Sequence, residues 1–206
     1  MHTLGRSIHR FVPLVAGTLL LGCDSPMPPG APPAAGAALL SAGGVSASAT
    51  GGGHYLLQGA LDVQFAFSAV QSADGEVTGY FHHKLDAGGG ETIDFSGRVT
   101  CLAFDAEKKH AWIGGVITQN RSTAAGWTID VEIFQPGHDV WFRVVDYGEN
   151  ADATQPDRTT FMGFENTPGI PTSAFYCQLK PWPDIPVPDA RTWPVTEGNI
   201  QVRVDD

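Results

Sequence analysis

From His54 onward, apolar and polar residues alternate with a period of two, the signature of strands with one buried face. Leu61, Val63, Phe65, Phe67 and Ala69 share one face, with Asp62, Gln64 and Ser68 on the other. The next run sets Val77, Phe81, His83 and Leu85 against Thr78, Tyr80, His82 and Lys84. Between the two lies Asp74-Gly75. A two-residue Asp-Gly loop would put Phe67 opposite His82 and mismatch the faces. A three-residue loop, Ala73-Asp74-Gly75 with Gly75 left-handed, puts Phe67 opposite Phe81 and Phe65 opposite His83, so the hydrophobic pattern selects it.

Further strands are predicted over 92–104, 110–119, 127–134, 139–147, 159–164, 174–180 and 198–204. Gly88-Gly89-Gly90, Asp105 to Lys109 and Asn120 to Gly126 break the pattern. In Gln135-Pro136-Gly137-His138, Pro and Gly stand where a type II turn needs them. That turn would pair Ile133 with Val140 and Val131 with Phe142 on the core face. It would also set Asp130 beside Arg143 and Glu132 beside Trp141 in solvent, so that Arg143→Ala is mild. Room remains for a short helix near 151–158 or 187–193. No helix is available as a crossover, which disfavours parallel βαβ units. The fold class is therefore all-β: an antiparallel meander of about eight or nine strands, closed as a calycin-like barrel or folded as a sandwich.

Ahead of His54 the pattern changes. Arg6 and Arg10 precede an apolar run, Phe11 to Leu21, that is too short to span a bilayer. Small Gly22 then precedes Cys23. Leu20-Leu21-Gly22-Cys23 resembles the bacterial lipobox. That resemblance implies diacylglyceryl transfer to the Cys23 sulfur, cleavage before Cys23, and acylation of the new amino terminus by chains such as palmitate. Residues 24–53 carry Pro26, Pro28, Pro29, Pro32 and Pro33, then Ala, Ser and Gly up to Gly51-Gly52-Gly53, with no aromatic residue. Such a segment buries too little apolar surface to offset its ordering entropy, and reads as a disordered tether spanning about 30 Å. The organisation expected is a signal peptide over 1–22, a lipid-anchored linker over 23–53 and a single β-domain over 54–206.

Charge narrows the partners. The chain carries a net charge of −10, or −12 once Arg6 and Arg10 leave with the signal peptide. An acidic surface excludes nucleic acid, whose phosphates demand a basic patch, and equally excludes electrostatic docking on anionic lipid. Membrane attachment then falls to the acyl chains on Cys23, two or three of which hold a protein firmly. The address implied is the cell envelope, at the inner or outer membrane, facing periplasm or exterior.

With Cys23 lipidated, Cys101 and Cys177 remain as an even pair in an oxidising compartment, which reads as a disulfide. Closing so long a loop stabilises by about 4–5 kcal/mol on the chain-entropy view. Several segments look familiar: Arg98-Val99-Thr100-Cys101-Leu102, Ala111-Trp112-Ile113-Gly114-Gly115-Val116, Phe142-Arg143-Val144-Val145-Asp146-Tyr147-Gly148-Glu149 and Gly198-Asn199-Ile200-Gln201-Val202. They are similar to segments of an exported bacterial β-domain family of unassigned function. The resemblance implies an all-β exported domain and carries over no catalytic residue.

Candidate chemistry is sparse. His82 and His83 are adjacent on a strand and point to opposite faces, so they cannot chelate one ion together. His83 reads as a core histidine, and as a ligand-binding residue only in a polar interior. Asp146, Asn150, Asp152 and Asp157 cluster oxygen donors around Gly148, as calcium requires, but without the EF-hand spacing. No cofactor other than calcium is suggested. Pro181-Trp182-Pro183-Asp184-Ile185-Pro186-Val187-Pro188, followed by Trp193-Pro194, favours polyproline II, with Trp182 and Trp193 either stapling an open end of the sheet or offering ring faces to a ligand. No G-x-S-x-G, H-E-x-x-H or P-loop motif occurs, which weighs against an enzyme. The reading is a lipid-anchored envelope β-domain acting as a binding or scaffold module. A carrier of a small apolar ligand is the alternative, and an envelope hydrolase the third.

Cys23→Ala should block lipid attachment, because the lipobox offers no other acyl acceptor. Detergent phase partitioning measures this: the variant is expected to leave the detergent phase or stay unprocessed, and a variant of mature mass still found there would refute the lipobox.

Overall fold

The β2–β3 hairpin shows how the alternation becomes structure. The computed structural model describes residues 44–124, 131–148, 155–181 and 191–205. In it β2 (Leu61–Ser72) pairs antiparallel with β3 (Val77–Gly88), with Phe67 opposite Phe81 and Phe65 opposite His83. Gly75 holds φ +88°, the left-handed conformation that the three-residue loop needs. Val63, Phe65, Phe67, Ala69, Phe81, His83 and Leu85 are all buried.

Beyond this pair, β4 (Glu91–Asp105) and β5 (His110–Asn120) continue the meander as the alternation predicts. β5 then pairs with β6 (Asp139–Val145), placing Ile113 opposite Phe142. β6 is joined on its other side by two short strands, β7 (Arg158–Thr159) and β8 (Gly163–Phe164). β7 pairs with β9 (Trp193–Val204), β9 with β1 (Val45–Leu57), and β1 with β2. The nine strands thus form one antiparallel sheet whose ends meet in a closed ring. The single stretch expected over 159–164 is two bridges separated by an irregular turn.

β1 corrects the expected tether, which was to run to residue 53. The strand begins at Val45 and is paired on both flanks. Its glycines serve packing. A Cβ on Gly51 would lie 2.8 Å from the Phe67 ring and 2.9 Å from the Asn199 carbonyl. Gly53, at φ +151°, sits even closer to the Glu197 carbonyl, next to a β-bulge.

Two further expectations are overturned. Residues 131–134 form a 3-10 turn instead of a strand, and the preceding residues of the expected run, 127–130, lie outside those described. The Gln135–His138 turn is present, with His138 N–H donating to Gln135 and Gly137 at φ +102°. It leads Phe134 into the interior instead of closing a hairpin, and β6 takes β5 as its partner. Of residues 174–180, expected as a strand, 174–179 belong to helix α1 (Ser173–Leu179). Thr172 Oγ1 caps its N-terminus by accepting from Phe175 N–H at 3.2 Å, and left-handed Lys180 ends it. The described parts of 151–158 and 187–193 are not helical.

The interior is filled by aromatic side chains. Phe67 meets Phe142 edge-on at 5.3 Å, and Phe95, Phe134 and Phe164 form a second group with centroids 4.8–5.7 Å apart. Phe81 lies where Gly97 and Gly115 carry no side chain. A smaller apolar cluster of Trp112, Trp141, Ile170 and Tyr176 lies outside the ring, where α1 covers β5 and β6. That layer reverses one expectation about β6: Val140, Phe142 and Val144 face the interior as predicted, but Trp141 and Arg143 are buried too, Arg143 at 0% exposure.

Phe142→Ala should cost about 3–5 kcal/mol through the cavity it leaves. Arg143→Ala should also cost several kcal/mol, because a buried guanidinium is removed from a covered layer. Denaturant titration of both variants checks this, and a loss below about 1 kcal/mol for Arg143→Ala would put that side chain back in solvent.

Candidate functional site

The two cysteines are joined. Cys101 on β4 and Cys177 on α1 form a disulfide with Cα atoms 6.2 Å apart, the pairing read from the sequence. The bond ties α1 to the outside of the sheet. Gly114 makes the approach feasible, since a Cβ there would lie 2.5 Å from Cys101 Sγ and 2.8 Å from Ser173 Cβ. Asp139 adds a polar tie, accepting from Ser173 N–H at 3.1 Å and from its hydroxyl at 3.2 Å.

The acids considered for calcium have structural duties. Asp146 accepts from Gly148 N–H at 2.7 Å with one oxygen and from Val202 N–H at 2.9 Å with the other. Asp157 accepts from Tyr147 N–H at 2.9 Å and from Ile200 N–H at 2.7 Å. Their oxygens serve β9 and the turn after β6. Asn150 and Asp152 lie outside the described residues, as do Cys23 and Trp182. Among the described residues no three His, Cys, Asp or Glu side chains gather as a metal site.

His83 sits in the aromatic interior, 5.4 Å from Phe142, 6.0 Å from Phe65 and 6.3 Å from Phe95 by ring centroid. Neither ring nitrogen has a hydrogen-bond partner among the described residues. Burial, helped by neighbouring His82, pushes its pKa down to about 3, so the ring is neutral. It is a core histidine surrounded by hydrocarbon, as the strand pattern predicted. On the opposite face, His82 Nε2 and Arg121 Nη2 each meet Asp94 Oδ1 at 3.0 Å. Burial works to raise the Asp94 pKa, but these two partners hold it below its ordinary value. Ser96 stands opposite His82 in the ladder, yet no hydrogen bond joins their side chains among the described residues.

The remaining feature is a pocket of about 250 Å³ on the outside of the ring, between α1, the β7–β8 segment and the start of β9. Trp141, Tyr176, Phe161 and Trp193 form its aromatic walls, and Thr160, Gly163, Thr167 and Arg191 also line it. Each wall has a definite support. Trp141 stacks on Tyr176 at 5.8 Å, and Trp193 stacks on buried Tyr55 at 6.3 Å. Tyr176 is held by α1, one residue before the disulfide. Thr160 Oγ1 accepts from Arg143 N–H at 2.9 Å, fixing the segment against β6. Gly163 lies directly over the Trp141 indole, where a Cβ would come within 2.2 Å of Nε1.

Trp193 is thus the one sequence-stated ligand candidate, among those described, that reaches the pocket. Trp141 and Tyr176 were missed because alternation assigned Trp141 to solvent and residue 176 to a strand. A tryptophan on a face assigned to solvent was the available signal, since large aromatic surface seeks cover. No protein-family model matches the chain, and no curated protein or solved structure is significantly similar to it. What the geometry defines is a class: a closed all-β meander with a disulfide-tied helix outside it and an aromatic pocket beneath that helix.

His83→Leu should flatten the acid limb of the stability curve. The folded imidazole resists protonation down to about pH 3, whereas the unfolded one takes a proton near 6.5. The unfolded state therefore binds more protons between those values, and the native protein loses up to about 1.4 kcal/mol per pH unit as pH falls through that window. Unfolding free energies at pH 7 and pH 5 should converge in His83→Leu relative to the parent. Parallel curves would mean that His83 ionises freely in the folded state.

Proposed function

We propose that the protein is a lipid-anchored cell-envelope binding module that takes a small molecule in the pocket outside its ring. The observation that carries this reading is the contrast between a filled interior and a preformed aromatic pocket on the exterior. Ligand sites are concave, mostly apolar and supplied with a few polar groups, and the Trp141–Trp193 pocket has that make-up at a volume just below the usual size range. A carrier with its ligand inside the ring needs space where Phe65, Phe67, Phe95, Phe134 and Phe142 now pack. A hydrolase needs converging titratable groups, and the described residues of the pocket lining offer Tyr176 and Arg191 without a carboxylate or histidine. Anchoring rests on the lipobox at Leu20–Cys23, and an oxidising compartment accords with the Cys101–Cys177 bond.

A fragment screen by amide chemical shift at millimolar ligand concentration tests the reading. Shifts should concentrate at Trp141, Thr160 to Gly163, Thr167, Tyr176 and Trp193. Shifts centred on Phe65, His83 and Phe95 would favour the interior carrier. A diverse set that perturbs neither region would remove small-molecule binding as the function.

A further inference from the structure

We infer that the pocket selects a small planar aromatic carboxylate, an inference that rests on the binding reading just given. The walls argue for the ring. Four aromatic side chains enclose about 250 Å³, enough for one or two fused rings. The polar groups argue for the carboxylate. Neither the Trp141 indole N–H nor the Tyr176 hydroxyl has a hydrogen-bond partner among the described residues, although both residues are buried and line the pocket. An indole nitrogen only donates, and burial pushes the Tyr176 pKa upward, so that its hydroxyl keeps its proton. Thr160 and Thr167 already use their oxygens to accept from Arg143 N–H and Phe164 N–H, which leaves their hydroxyl hydrogens to give. Among the described residues, the side-chain lining is therefore rich in donors and holds no carboxylate or amide acceptor.

Charge points the same way. Arg191 is in the lining, and buried Arg143 lies near it. A carboxylate answers this set, because it accepts at several lone pairs and donates nothing. A sugar fits it poorly, since its hydroxyls need acceptors as well as donors. Gly163 completes the selection by leaving the indole edge clear, where any side chain would crowd Nε1.

The test uses the full-length chain and three probes: 2-naphthoate, 2-naphthalenemethanol and methyl glucoside. Calorimetry should show 2-naphthoate binding at least about tenfold tighter than the alcohol, with no measurable heat from the glucoside. The Trp141 indole N–H resonance, identified by its loss in Trp141→Phe, should move on adding the acid. Trp141→Phe and Tyr176→Phe, which keep the ring and remove the donor, should each weaken the acid by about tenfold and leave the alcohol unchanged. Both are checked for folding by near-ultraviolet circular dichroism. If Trp141→Phe does not fold, Tyr176→Phe alone decides. If the alcohol or the glucoside binds as tightly as the acid and moves the same resonance, the carboxylate inference is overturned while the pocket remains a binding site. If none of the three moves a pocket resonance, the inference falls, and the fragment screen decides whether the binding reading falls with it.

Discussion

The structure depends on closing the ring between β6 and β9, because these strands are joined through only two residues of β7. Beyond that bridge, β9 has N–H groups with no strand to receive them. Two aspartates supply what a strand would have supplied. Asp157 takes the Val195 N–H on its backbone carbonyl and the Ile200 N–H on its carboxylate, and Asp146 takes the Val202 N–H. Charged acceptors make these bonds stronger than ordinary ladder bonds. They also occupy acids that would otherwise suggest a cation site. With the ring closed, the inward faces of β1 to β6 enclose one core. Opening it would expose Ile200, Val202 and Val144 together.

A filled core moves any recognition outward. The second apolar layer, where Trp112 and Trp141 meet Tyr176, exists because α1 is held against β5 and β6 by a covalent bond, a caught hydroxyl and an indole contact. Trp112 Nε1 donates to the Pro181 carbonyl at 2.9 Å just past the helix. A seven-residue helix is too short to be stable alone. Its position is therefore dictated by what it covers, and the same coverage produces one wall of the pocket.

Strand pairing in the meander was legible because each face carries one chemistry: Phe65 and Phe67 could pair only with His83 and Phe81. Legibility failed where a second layer or a neighbouring backbone altered the rule. Gly51-Gly52-Gly53 has the composition of a linker, yet at Gly51 the Phe67 ring and the β9 backbone, and at Gly53 the β9 backbone, leave no room for a side chain. Arg143 follows the strict alternation and was assigned to solvent, but α1 arrives from further along the chain and buries it. Residues 174–180 contain no β-branched side chain, and Pro171-Thr172-Ser173 ahead of them is a capping sequence, so their helix had a local signal that strand spacing obscured. Of the pocket, only Trp193 stood out, since a site assembled from β6, α1 and two bridging strands has no linear motif.

The placement of β1 has a mechanical consequence. From Val45 the chain runs as a strand hydrogen-bonded along both flanks, to β2 and to β9. Tension transmitted through that chain along the strand axis would have to shear both ladders at once instead of unzipping one bond after another. The glycines at 51–53 carry no side chains, so across that stretch resistance to pulling would reside in the backbone ladders, with buried Tyr55 anchoring the strand beyond it.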